Sequence, residues 1–145
     1  MAPPAVIDTN VLIAGLLARD PQSPPVRIVD GMLARNFRYL LSLPLLVEYR
    51  SVLLRARIRQ LHGLGDAEID GLLEALVANA LLQEPIPTLD EDPPDPGDRH
   101  LWLLLGARPG ALLVTGDTAL LRNPPSFASV VSPATFIGLT SNLTP

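Results

Sequence analysis

The 145-residue chain contains no cysteine. That excludes a disulfide scaffold, a thiolate zinc site and a cysteine nucleophile, and it fits a reducing, cytoplasmic setting. Lysine is absent too: all 11 basic residues are arginines, against 15 acids, for a formal net charge of −4. Such a balance exerts no global pull on nucleic acid, so a nucleic-acid partner must be met by local arginines and bound cations. Aromatic residues make up only 4% of the chain, too few to suggest a base-stacking platform. No apolar run reaches the roughly 18 residues of a membrane span. The opening "MAPPAVIDTN" has no basic region before its apolar run, so neither a membrane partner nor a secretory signal is expected.

What is present is apolar and globular. With 48% hydrophobic and 18% charged residues, 1–145 reads as a single domain large enough for one sizeable core. "PAVID" (4–8) predicts a buried strand ending at Asp8, and "NVLIAGLLA" (10–18) a helix. After the loop "RDPQSPP", Ser23 can cap a helix near 25–35. "FRYLLS" (37–42) predicts a second strand. Apolar residues at helical spacing predict helices over 44–59 and 66–82, the second capped by Asp66. The proline- and acid-rich stretch 84–97 begins with a short strand and becomes a loop. Asp98 opens a helix, "GALLVTGD" (110–117) is a strand and turn, "TALL" is one helical turn, "SVVS" (129–132) is a last strand, and "PATFIGL" is a closing helix.

Strands alternating with helices imply an α/β fold: a mainly parallel sheet of about four to five strands between helical layers. Ligand sites in such folds lie beyond the carboxyl ends of the strands. Two strands end there in an acid, Asp8 and Asp117. Glu48 lies early in the helix after the second strand. Asp98 begins a helix antiparallel to the strand that follows it. All four acids can therefore meet at one sheet edge. Each also has a purely structural reading: Asp8, Asp98 and Asp117 as helix caps or turn residues, and Glu48 as one polar position on an apolar helix. Converging carboxylates must be protonated, spread apart or neutralised by cations, and hard oxygen donors suit Mg²⁺ or Mn²⁺. Such metals can generate hydroxide and stabilise in-line displacement at phosphorus. With only His62 and His100 as further ligands, zinc is not expected.

On a continuous helix, Arg55 and Arg59 fall within about 20° of the Glu48 face, roughly 10 and 16 Å along the axis. They can hold phosphates leading away from a metal, or simply complement the helix end. Arg50 projects oppositely. His100, two residues after Asp98, points elsewhere and is read as non-catalytic. A phosphoacceptor receiver and an Asp-x-Asp phosphatase each need a lysine, which the chain lacks, and Asn10 stands where the phosphatase needs its second acid.

"VIDTNVLIAGLL", "LPLLVEYRSVL", "DPGDRHLWLLL" and "LLVTGD" resemble, in order and spacing, the successive motifs of PIN-domain proteins, and most closely the VapC-like toxins of bacterial toxin–antitoxin systems. The resemblance runs from Ile7 to about Phe136. It implies a PIN-like three-layer α/β/α fold and a Mg²⁺- or Mn²⁺-dependent endoribonuclease acting on single-stranded or looped RNA. Asp8, Glu48, Asp98 and Asp117 would be the catalytic metal-binding acids. Thr9, Asn10 and Thr115 would orient carboxylates or water. The chain reads Asp95-Pro96-Gly97-Asp98 where related sequences often read Asp-Pro-Asp-Asp; Asp98 keeps the helix-leading position, and Asp95 can assist or solvate the loop. The resemblance also implies an antitoxin protein as partner. The leucine- and alanine-rich helices suggest a homodimer. The rival reading is a catalytically degenerate PIN domain that only binds RNA or protein.

Overall fold

The structure, a computed structural model, describes residues 3–141 and opens with β1 (Ala5–Ile7), all three residues buried. Asp8 ends the strand, and its carboxylate accepts from the Thr9 amide at 2.8 Å to start α1 (Thr9–Leu17). α2 (Pro24–Ala34) starts on its two prolines, which need no amide partner in a first turn; Ser23 precedes it, but its hydroxyl makes no cap bond. α1 and α2 cross closely enough that a Cβ on Gly15 would stand 2.5 Å from the Pro25 carbonyl oxygen.

β2 (Leu40–Leu41) is followed by α3 (Leu43–Leu53), capped by Ser42, whose hydroxyl accepts from the Leu45 amide at 3.2 Å. The helix expected over 44–59 is in fact two. Arg55 takes an extended backbone (φ −59°, ψ 133°) and α4 (Ala56–His62) begins after it. Helical spacing of apolar residues runs through the break, so periodicity could not reveal it. Packing decides it: α4 lies against both α1 and α3, with Ile58 on the core. α5 (Asp66–Asn79) has Asp66 as its first residue rather than its cap, and the Glu68 carboxylate accepts from the Gly65 amide.

The helix expected to reach residue 82 stops at Asn79 because Leu81 and Leu82 form β3 beside β2, where the strand expected after Glu84 does not arise. Leu81 donates to the Tyr39 carbonyl at 2.8 Å and Gln83 to that of Leu41 at 3.0 Å. Strand pairing has overridden leucine's helical preference. A 3-10 turn (Pro96–Asp98) leads into α6 (Arg99–Gly106), β4 (Leu112–Val114), α7 (Thr118–Arg122), β5 (Ser129–Val131) and α8 (Pro133–Ser141).

All strand pairs are parallel, and a bridge between Ala5 and Tyr39 joins the two ladders into the order β3-β2-β1-β4-β5. This is the α/β arrangement with helices flanking a parallel sheet that the sequence predicts. β1 is central, with β2 on one side and β4 on the other. The chain order reverses there, so a crevice opens beyond its carboxyl end, at Asp8. α6 packs on β1, β4 and α3, while α2 packs on α1, α5 and α8. Trp102, Tyr39 and Tyr49 are the largest fully buried side chains, and the Tyr49 hydroxyl donates to the Ile7 carbonyl just before the crevice. Among the described residues, no helix is long and apolar enough to cross a membrane.

Candidate active site

A cavity of about 510 Å³ lies in that crevice, lined by Asp8, Thr9, Asn10, Ile13, Ala14, Glu48, Val52, Arg55, Asp95, Asp98 and Asp117. Four separate segments thus bring the four predicted acids to one wall, as the strand-end argument requires.

Each acid is held differently. Asp8 is 5% exposed, and both its oxygens are bonded. Oδ1 takes the Thr9 amide, and Oδ2 takes the Thr115 hydroxyl at 2.8 Å and the Asn10 amide group at 3.2 Å. Asn10 also donates to Thr115 Oγ1 (3.2 Å) and accepts from the Gly116 amide (3.0 Å), tying α1 to the turn after β4. Thr115 in turn accepts from the Asp117 amide at 3.0 Å. Asp117 does cap α7, its Oδ1 accepting from Ala119 at 2.9 Å, so its structural and pocket-lining roles coexist.

Asp98 caps nothing. Asp95 closes the 3-10 turn by accepting from the Gly97 amide at 2.9 Å, which leaves the Asp98 carboxyl facing the cavity. Glu48 accepts from the Thr9 hydroxyl at Oε2, and Nε2 of His100 stands 3.4 Å from Oε1. The arginines separate. Arg55 lines the cavity because the chain bends there, whereas Arg59 is carried away by α4 and pairs with Asp66 at 2.7 Å. The expectation that both follow the Glu48 face fails with the continuous helix on which it rested.

His100 is the neighbour the sequence did not signal. Two residues along a helix rotate a side chain by about 200°, which separates it from Asp98. That says nothing of α3, and it is the packing of α6 on α3 that brings His100 to Glu48.

The electrostatics match this crowding. Burial, then the charges of Asp8, Asp95, Glu48 and Asp117, push the Asp98 carboxyl up to about 6. Burial also raises Asp8, against the pull of its hydrogen bonds. Glu48 goes the other way: the His100 hydrogen bond lowers it, burial opposes, and the Thr9 hydroxyl adds to the lowering. A carboxyl raised from 3.8 to about 6 contributes stability that is full below its unfolded value and is lost as pH rises through 6. In chelator, thermal melts of the wild type should therefore fall between about pH 4 and 6.5, with this contribution flat above that. Asp98→Asn should flatten that fall and gain about 1 kcal/mol at pH 7, after allowance for solvent screening in an open cavity. An unchanged slope in the variant would refute the assignment.

The donor set is all oxygen and hard, with excess negative charge facing one arginine, and it suits a small divalent cation. Among the described residues no three acidic or histidine side chains close into a ready-made ligand group.

No curated protein matches the sequence significantly. The solved structure of the RRP44 PIN domain from T. brucei superposes with a TM-score of 0.52 at 14% identity, covering 99% of this chain and 83% of that one, a likeness of fold. Residues 4–119 match the PIN domain family, a stretch that includes all five acids lining the cavity and the strands that carry Asp8 and Asp117. With that match across most of its length and the corresponding fold around an acid-lined crevice, the chain belongs to the PIN domain family, a family of nucleases.

Proposed function

We propose that this chain is a divalent-cation-dependent endoribonuclease, the toxin of a VapC-like toxin–antitoxin pair, working in the cytoplasm. The observation that carries the reading is the convergence of Asp8, Glu48, Asp98 and Asp117 on one cavity. PIN domains generally bind divalent metals, and these four acids would hold Mg²⁺ or Mn²⁺ here. When bound, the cation supplies an activated water and neutralises charge at the phosphorus.

The chain's own residues set the rest. Thr115 and Asn10 immobilise the Asp8 carboxylate. Thr9 and Thr115 spend their hydroxyl protons on Glu48 and Asp8 and so orient those two carboxylates. Asp95, holding the 3-10 turn, assists by presenting Asp98. Arg55 is the cavity's cation for a phosphate of single-stranded or looped RNA. Incubation of the protein with single-stranded RNA in Mn²⁺, Mg²⁺ or EDTA tests the reading. Cleavage in either metal and none in EDTA is expected, with Arg55→Ala losing about tenfold in kcat/KM as one charged phosphate contact is removed. Arg59→Ala should match wild type, its guanidinium being engaged by Asp66. Absence of cleavage in every metal would sink the proposal. Binding of RNA without cleavage would favour a degenerate binding module.

The homodimer is proposed on the face where Leu43, Val47 and Leu82 are 72%, 57% and 68% exposed. Arg50 and Asp70 lie 3.8 Å apart beside it, so the patch carries both charges and can complement itself across a two-fold axis. Sedimentation equilibrium tests this. The antitoxin is the second proposed partner, and co-purification with the product of an adjacent gene tests it.

A further inference from the structure

Glu48 sits on α3, yet the groups that hold its carboxylate come from two other helices. Thr9, the first residue of α1, donates to Oε2, and His100, in the first turn of α6, stands 3.4 Å from Oε1. The side chain of Glu48 is 31% exposed. A half-exposed glutamate with three rotatable bonds keeps most of its rotamers, worth more than about 1 kcal/mol of entropy, unless partners select one.

The competing partner is close. Arg55 lines the same cavity and lowers Glu48 by its charge. A glutamate released from His100 is free to turn to that guanidinium, which would remove an acid from the cation and an arginine from the phosphate at once.

The ring is suited to the task. His100 is 17% exposed, and its Nδ1 is buried without a partner. A neutral imidazole has one donor and one acceptor nitrogen. Glu48 Oε1 requires a donor, so Nε2 carries a proton, and Nδ1 has no partner in the protein. The 3.4 Å separation is at the long end for such a bond.

We infer that His100 is a positioning residue which, together with Thr9, holds the Glu48 carboxylate on the acid wall and away from Arg55. The inference rests on the cavity being a cation site, and it adds that the packing of α6 on α3 sets the position of Glu48 in it. Each Glu48 oxygen spends one lone pair on a protein donor and keeps another for the cavity.

Mn²⁺ binding to the chelator-stripped protein, read by the EPR signal of free Mn²⁺, tests it with His100→Leu and His100→Gln. The leucine variant should bind Mn²⁺ about tenfold or more weakly, the scale for loss of a residue that orients a ligand. The glutamine variant, whose amide can still donate to Oε1, should recover most of that loss. Wild-type affinity in the leucine variant, or equal loss in both, would overturn the inference. A metal-free arm separates this from failure of the nuclease reading. In EDTA, the drop in melting temperature caused by His100→Leu should vanish in a Glu48→Ala background, whereas additive drops would dismiss the contact. Should the wild type bind no Mn²⁺ at all, the nuclease proposal fails, and the melting cycle alone judges the pairing.

Discussion

Asp8→Asn is expected to lower metal-dependent RNA cleavage by roughly 10³-fold, the scale for loss of a group that acts where charge develops in a transition state. The carboxylate lies at the carboxyl end of the central strand, 5% exposed, and is fixed by donors from Thr9, Asn10 and Thr115. Because it cannot swing, no neighbouring acid can take its place without moving the backbone of a different segment. Asparagine matches its shape but removes the charge and turns one acceptor into a donor, which then faces the existing donors. Two effects on the fold oppose each other. An acceptor of buried hydrogen bonds is lost, while the burial that raises the Asp8 carboxyl no longer works against an ionised group. Melting in EDTA should therefore differ from wild type by only a few degrees, so that the lost cleavage reports chemistry rather than unfolding. Retained cleavage by a folded Asp8→Asn protein would remove the acid wall from the mechanism.

Trp102→Ala should cost about 3–5 kcal/mol of stability, a large part of the roughly 5–15 kcal/mol that holds a domain of this size together. Trp102 is 1% exposed and lies on α6 beside Leu101, Leu104 and Leu105, all of them buried. That helix packs on β1, β4 and α3, so loss of its largest buried side chain loosens the element that carries His100. At about 3 °C per kcal/mol, the melting temperature should fall by 10 °C or more. Trp102→Phe, which refills part of the volume, should recover much of the loss. Denaturant titration measures both variants. A cost below 1 kcal/mol for the alanine variant would mean that the site's supporting helix does not depend on this core. Because Asp98 leads directly into the helix that carries His100 and Trp102, cleavage in the alanine variant should decline at temperatures well below its melting point.

The acids that sit at strand ends were legible from order alone. A parallel sheet places carboxyl ends on one edge, so Asp8 after "AVI" and Asp117 after "LLVTG" had to approach each other once both strands were central. Glu48 and Asp98 followed from the direction in which a helix must run before or after a parallel strand. The structural alternatives for these acids proved to be partial truths rather than rivals. Asp8 and Asp117 both accept from the backbone at a helix start and also line the cavity, because a carboxylate has two oxygens. Only Asp98 is relieved of capping, since Asp95 closes the turn ahead of it.

Local sequence determined the strands that carry Asp8 and Asp117, the alternation that makes them parallel, and the four acids aimed at one edge. These depend on hydrophobic run length and on the fixed geometry of strands and helices. Tertiary structure alone decided where the long apolar helix breaks, that Leu81 and Leu82 become a strand, that Arg55 stays with the acids while Arg59 leaves, and that His100 meets Glu48. The physical reason is the same in each case. Helical periodicity records which face of a segment is apolar, but a bend, a strand pairing or a meeting of two helices depends on a neighbour distant in the chain.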